Sequence, residues 1–476
     1  MTESPQRTGA HSGVTLQADG RQPGSRRDVR IGREQLKSLA SANLGWFFDG
    51  FETYSLILTV AFVLKDLLPA GNRHDIPLYA GATIAITLFG WAIGGLVGGV
   101  VADYIGRRRM LLWSIALYAV CTGLTALSWS WLSFAIFRFV TGLALGSEWG
   151  TGTSLVAETW SDRTRSKAAG IMQSGLGIGF FIASLAWHFL SPVGPGAWRW
   201  MFVLGVLPAL AAVFLWRRVP ESGEWVAATK QKQAADADGT KSSRSRLSGS
   251  GLSGTGAPAG RRWRWSVRVR ELTLLEVLRD PQLRKVTLIA SVMSLVTTVA
   301  WWGISTWVPD YVGQVAAGQG RSASAWSSDA GMIYNAGAIV GYIALGFVAD
   351  RIGRRWTTML YFALSLALTP LLFLGPKNMA LLVPIIIFNG MFTLGQYTWM
   401  PVWLPELYPT RLRATGVSFV FNAARFIACL GPLLAGAIIN RLGGYGTAAT
   451  AFGCIYLLGI AFCFFLPETK GKPLPQ

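Results

Sequence analysis

Five charged residues lie inside stretches otherwise too apolar to hold them: Asp49, Glu52, Arg138, Glu148 and Arg425. An ionisable side chain in such a stretch costs about 2.5–3.5 kcal/mol on insertion scales and marks a functional site by default. Asp49 and Glu52 are three residues apart, the spacing that puts two side chains on one helix face. Two carboxylates in one low-dielectric pocket repel, so one is expected to hold its proton. The bland alternative is a structural carboxylate paired with a nearby arginine. Arg138 and Glu148 stand ten residues apart, about 80° off a common face, so they are not expected to pair. Arg138 could pair instead with Asp49 or Glu52. Asp49 and Glu52 are therefore candidates for proton coupling, while Glu148 and Arg138 stand open between substrate or proton work and structural pairing.

Arg425 lies about eleven residues, roughly 16 Å at 1.5 Å per residue, into its apolar stretch, with Asn422 one turn before it. No carboxylate lies at that depth in the C-terminal half, where Asp310 and Asp329 sit near the ends of their stretches. A buried guanidinium needs an anion, and a carboxylate ligand supplies one with bidentate geometry. The alternative is an arginine reaching across to Asp49, Glu52 or Glu148. Trp301, Trp302, Tyr397 and Trp399 could line a cavity and stack on a flat ligand. Asn389 and Gln396, with Asn335 and Gln173, could orient that ligand or bridge helices. Trp307 and Trp403, near the ends of their stretches, read as interface anchors. Three histidines leave proton chemistry mainly to carboxylates, and the four cysteines have neither zinc nor redox spacing. No nucleotide loop, metal cluster or nucleophile constellation is present. The expectation is no enzyme, no metal, and no cofactor beyond a coupling proton.

The elements that must hold these residues are readable. The 476-residue chain is 51% hydrophobic and 14% charged, yet its formal net charge is +19. Soluble proteins average about 25% charged residues. Apolar stretches long enough to cross about 30 Å of hydrocarbon fall at about 40–64, 78–102, 109–128, 130–157, 168–190 and 198–216. A second group falls at about 283–309, 326–349, 355–374, 379–405, 414–439 and 447–466. The fold class is an all-α membrane protein with twelve transmembrane helices in two six-helix halves. Residues 1–38 read as a disordered cytoplasmic tail, 39–217 and 283–467 as the two bundles, 218–282 as a Gly/Ser-rich cytoplasmic linker, and 468–476 as a second tail. Within the linker, Arg261–Arg270 (RRWRWSVRVR) reads as a topogenic charge cluster or a membrane-surface contact. With both termini inside, 35 of the 43 lysines and arginines fall on the inner side, a positive-inside signal that leaves no charge excess to suggest a nucleic-acid partner.

The chain repeats itself. Gly99, Asp103, Gly106, Arg107 and Arg108 recur 247 residues later as Gly346, Asp350, Gly353, Arg354 and Arg355. Pro220-Glu221 recurs at the same offset as Pro467-Glu468, and Glu158, Arg163 and Arg165 recur 248 residues on as Glu406, Arg411 and Arg413. Such a repeat places a site between two halves. The two glycines permit close helix approach, the aspartates sit near helix termini, and the arginines offer partners for carboxylates at other helix ends. This cluster could hold the inner side closed and release it when the halves rock. The alternative is a purely topogenic basic turn.

GVVADYIGRRR and GFVADRIGRR resemble the loop signature of the major facilitator superfamily, and the resemblance covers about residues 40–470. Trp46–Glu52 (WFFDGFE), Gly142–Trp160 and Trp198–Leu210 are similar to bacterial sialate:proton and aromatic-acid:proton symporters. The aromatic-acid group carries Asp-Gly-x-Asp where this chain has Glu52 in the last place, which keeps the charge but departs from the pattern. The resemblance implies proton-coupled uptake of a small organic anion by alternating access, in a bacterial inner membrane, by a monomer with a lipid bilayer around it. Pro405–Gly416 and Pro467–Gly471 also resemble sugar-porter landmarks, which keeps a proton-coupled sugar porter as the alternative, although the seventh span lacks that group's paired glutamines. A drug exporter fits less well, because the fifth span lacks a Gly-Pro centre. A non-transporting sensor would need a signalling module, and only the tail and linker are available for one.

Overall fold

The computed structural model describes residues 31–207, 223, 225–227, 273–431, 441–442 and 444–475. Most of the expected N-terminal tail, the RRWRWSVRVR segment, Pro220-Glu221, Pro432 and the ends of the sixth and eleventh spans lie outside them.

A chain this apolar closes its backbone hydrogen bonds within helices. The first half consists of α1 (Arg33–Leu67), α2 (Ile76–Ile105), α3 (Arg107–Ala126), α4 (Trp131–Thr159), α5 (Arg165–Leu190) and α6 (Ala197–Leu204). The second begins with α7 (Thr273–Arg279), α8 (Pro281–Ser305), α9 (Val308–Ala317), α10 (Ala323–Ile352) and α11 (Arg354–Leu374). It continues as α12 (Met379–Thr393), α13 (Trp399–Trp403), α14 (Arg413–Ala423), α15 (Arg425–Ala428), α16 (Tyr445–Gly453) and α17 (Ile455–Cys463). Nine described segments are long and apolar enough to cross a membrane. Trp113, Trp129, Trp200 and Phe465 are largely exposed, as lipid-facing or interfacial side chains should be.

Several local expectations need correction. Helix α1 already begins at Arg33 and buries Ser38, so the end of the expected tail is ordered. The end of the expected linker is α7, with Val277 buried and Thr273 bonded to Thr415 at 2.7 Å. Trp307 and Trp403 are buried, not interfacial; the Trp403 indole N–H donates to the Pro467 carbonyl at 3.0 Å. A short helix, α9, follows the seventh span with Pro309 in its first turn.

The tenth and eleventh spans are interrupted. Between α12 and α13 the residues Gly395–Thr398 form a 3-10 turn, because Pro401 has no N–H to give the Tyr397 carbonyl and its ring crowds it. Between α14 and α15, Asn422 donates to the Ser418 carbonyl (2.8 Å) and Arg425 to that of Phe421 (2.6 Å), side-chain bonds that compete with the helical ladder. Both breaks fall beside the central site.

The repeated loops have one geometry. A single glycine joins α2 to α3 and α10 to α11: Gly106 at φ 103° and Gly353 at φ 99°, a region L-residues avoid. Each turn puts an arginine first in the next helix, and its guanidinium bonds back to Ala102 or Ala349, both at 3.1 Å. Gly99 and Gly346 make the approach between halves possible. A Cβ on Gly99 would lie 2.5 Å from Ser418 Cβ, and one on Gly346 would lie 2.3 Å from the Ser166 carbonyl oxygen.

Candidate functional site

Helices α1 and α4 run antiparallel. The Trp160 indole meets the Gln35 carbonyl, Ser38 meets Thr159, Glu148 fills the space beside Gly45, and Glu52 meets Arg138. That direction separates the two carboxylates expected to share a pocket. Glu52 pairs with Arg138, which also donates to Thr125 Oγ1 (2.6 Å) and Thr141 Oγ1 (3.1 Å) and lies over the Phe202 ring. Asp49 instead faces Glu148 within hydrogen-bond reach. Both are buried, and neither carboxyl accepts a hydrogen bond from a donor among the described residues. A proton held between them is the simplest way to satisfy both.

Arg425 opens α15 and is 3% exposed. Its guanidinium lies 4.0 Å from the centre of the Phe421 ring and 4.7 Å from that of Trp91. Among the described residues no carboxylate comes within ion-pair distance of it, and Nε has no acceptor. Asp49 and Tyr397 lie within its electrostatic reach. Arg425 lines a narrow cleft of about 20 Å³ with Trp46, Trp91, Trp301, Trp302 and Tyr397. Trp302 also borders a larger apolar chamber of about 450 Å³, walled by residues such as Gly81, Trp307 and Phe452, toward the end of the bundle opposite the repeated loops.

Sequence reasoning missed Trp46, Trp91, Thr53 and Phe180 in this cleft. Trp46 stands three residues before Asp49, the one spacing signal that could have exposed it. Four other candidates are not brought together with Arg425. Asn422 is turned to Ser418 and packs on Gly95 of α2. The Gln396 amide donates to Thr393 (3.0 Å) and Tyr456 (2.5 Å), and Asn389 sits between Tyr334 and Thr369. The Trp399 indole donates to Thr297 Oγ1 at 2.9 Å. Asn422 and Arg425 meet successive turns of α2, at Gly95 and at Trp91, so Asn422 lies one turn away from the cleft.

The repeated loop residues meet in two matching networks. Arg107 lies 2.8 Å from Asp103 and 3.4 Å from Glu158, and it donates to the Thr410 carbonyl at 3.0 Å. Glu158 accepts Arg413 from the other half at 3.0 Å. In the counterpart, Arg354 grips both oxygens of Glu406 (3.0 and 2.8 Å), lies 3.4 Å from Asp350, and donates to Ser166 at 2.6 Å. Arg165 of the first half approaches Glu406 at 3.8 Å. Arg165 and Arg413 also bond the Ala157 and Pro405 carbonyls, at 3.0 and 3.1 Å. Asp103 accepts from the Thr415 amide at 2.9 Å. Arg411 pairs with Glu276 of α7, Arg163 is exposed, and Arg108 is half-buried. Glu468 accepts the backbone N–H groups of Arg354 and Arg355, both at 3.1 Å.

Comparison with known proteins bears on this arrangement. Residues 41–476 match the model of the family described as sugar (and other) transporter. The chain is 28% identical to the sialic acid transporter NanX of Escherichia coli (strain K12), over 94% of this chain and 96% of that one. It is 26% identical to the cis,cis-muconate transport protein of Acinetobacter baylyi, over 93% and 97%, and 25% identical to the gentisate transporter of Corynebacterium glutamicum, over 89% and 86%. Among solved structures it resembles the proton:xylose symporter XylE of the major facilitator superfamily, with a TM-score of 0.71, 21% identity and coverage of 93% and 98%. The protein, a multi-pass membrane transporter and not an enzyme, belongs to the sugar (and other) transporter family of the major facilitator superfamily.

Proposed function

We propose that the chain is a secondary active symporter that imports a small organic anion with a proton by alternating access. The observation that carries this reading is Arg425, a buried guanidinium without an ion-pair partner among the described residues, in a cleft of aromatic rings beside two donorless carboxyls. A substrate carboxylate supplies the missing anion, and the Asp49–Glu148 pair holds the coupling proton. Glu52 and Arg138 neutralise each other and fasten α1 to α4. The paired networks of Arg107–Glu158–Arg413 and Arg354–Glu406–Arg165 close the cytoplasmic side. The excess of positive charge in the sequence on that side supports cytoplasmic termini, and the bacterial relatives support a place in a bacterial inner membrane, where the reading takes the transporter as a monomer.

A sugar porter is the second reading, favoured by the family model and by the fold shared with a xylose symporter. Against it, Asn389, Gln396 and Asn422 are engaged in helix contacts and are not turned to the cleft to meet sugar hydroxyls. Uptake into proteoliposomes separates the two. A pH gradient, acid outside, should drive accumulation of a labelled carboxylate and none of a neutral sugar. Gradient-driven uptake of a neutral hexose or pentose, with no carboxylate flux, would replace the anion reading with the sugar one.

A further inference from the structure

We propose that Phe421 is a positioning residue whose ring stands in for the counter-ion of Arg425 in the empty site, and that its hold on the guanidinium sets how tightly a carboxylate binds. The second half of this rests on the reading of Arg425 as the carboxylate anchor; the first half does not. Arg425 is buried and has no ion-pair partner among the described residues. Asp49, the carboxyl in its electrostatic reach, is turned to Glu148. A buried charge left so is costly, and what meets this one is aromatic. The guanidinium carbon lies 4.0 Å from the centre of the Phe421 ring and 4.7 Å from that of Trp91. The negative face of a ring attracts a cation, most strongly where water is absent.

The surroundings of Phe421 keep that face in place. Trp149 of α4 stacks on it at 3.5 Å and 14°, and a ring has two faces, so the guanidinium takes the other. Trp46 and Tyr397 meet the ring at steep angles, with centroids 6.0 and 5.9 Å away, which stops it from turning. Trp149 is itself held, its indole N–H donating to Gln173 Oε1 at 3.2 Å. The Phe421 carbonyl accepts from Arg425 Nη1 at 2.6 Å, while Nε has no acceptor. The rings cover the guanidinium face and the carbonyl takes one corner, so the Nε edge is the side left for a carboxylate. A ring attracts a bare guanidinium more than one paired with a carboxylate, because the pair is neutral. Phe421 therefore stabilises the empty site more than the occupied one. It lowers affinity for the carboxylate, eases release, and lets the empty carrier cross back with Arg425 unpaired.

Fluorine on the ring weakens its negative face and leaves its shape nearly unchanged, so mono-, di- and trifluorinated phenylalanine in place of Phe421 separate charge from packing. In the purified full chain without ligand, Tm should fall stepwise along the series, by about 2 °C at the trifluorinated end. The same series in Arg425→Gln should leave Tm level. Benzoate, a carboxylate with no other polar group, should bind progressively more tightly by calorimetry, about fivefold at the end of the series. A level Tm series, or the same slope with and without Arg425, would overturn the stand-in and leave the anchor standing. Benzoate affinity that falls along the series would overturn the effect on binding, since the ring would then serve the occupied site. Benzoate bound equally by wild type and Arg425→Gln would overturn the anchor and the effect on binding together, with the Tm series still deciding the stand-in.

Discussion

Two regions of this molecule bury clusters of charge, and they do so in opposite ways. At the repeated loops every candidate carboxylate has cations and donors around it. Glu158 lies between Arg107 and Arg413, and Glu406 accepts two bonds from Arg354 and one from Thr469 at 2.5 Å. At the centre, Asp49, Glu148 and Arg425 lack such partners among the described residues. A buried ion pair is costly to break, because removing one partner strands the other. An unpartnered buried charge is costly to keep, and its persistence points to a partner that comes and goes. The first arrangement suits a closure between halves, and the second suits a site for a mobile proton and a mobile anion.

The largest expected effect tests the centre. Asp49→Asn should lower gradient-driven accumulation by about 100-fold or more, the scale of losing a proton-transfer group, while substrate exchange across equilibrated vesicles persists. Exchange and accumulation falling together would move Asp49 from coupling to substrate binding. Next comes the loop network. Arg354→Ala leaves Glu406 with the Thr469 hydroxyl at 2.5 Å and, as its remaining cation among the described residues, Arg165 at 3.8 Å, and stranding a buried carboxylate costs about 3–5 kcal/mol. Thermal unfolding should show a lowered Tm, with faster thiol labelling of a cysteine placed at Ser166. An unchanged Tm and labelling rate would remove the closure from the account.

The smallest effect concerns Glu468. Partial burial pushes its carboxyl up, but four backbone N–H groups, from Arg354, Arg355, Thr469 and Lys470, outweigh that and leave it below the usual range. A depressed folded value means a contribution to stability that is present at neutral pH and lost as pH falls through the carboxylate range. The Tm difference between wild type and Glu468→Gln should therefore be small at pH 7 and vanish in acid. A difference that grows on acidification would reverse the sign.

Much of the loop network was legible because the chain states it twice: an in-register repeat of Gly, Asp, Gly, Arg, Glu and Arg marks both networks. Apolar length marked the spans. The central site was legible in its charges but not in their pairing. Asp49 and Glu52 share a helix face by spacing, yet the antiparallel run of α4 delivers Glu148 to one and Arg138 to the other, a tertiary fact outside local periodicity. The 3-10 turn at Gly395–Thr398, which holds the Tyr397 that lines the cleft, was also invisible. Trp46 had only its spacing from Asp49 to mark it, and nothing singles out Trp91 among 21 tryptophans.

The central claim is that the missing counter-ion of Arg425 is the substrate. Binding of a carboxylate probe to wild type and Arg425→Gln, compared by calorimetry at one pH, tests it most directly. The account predicts about a 100-fold or greater loss of affinity in Arg425→Gln, as expected when a bidentate charged partner disappears, with the Tm of the unliganded protein little changed. Equal affinity in the two proteins would contradict it.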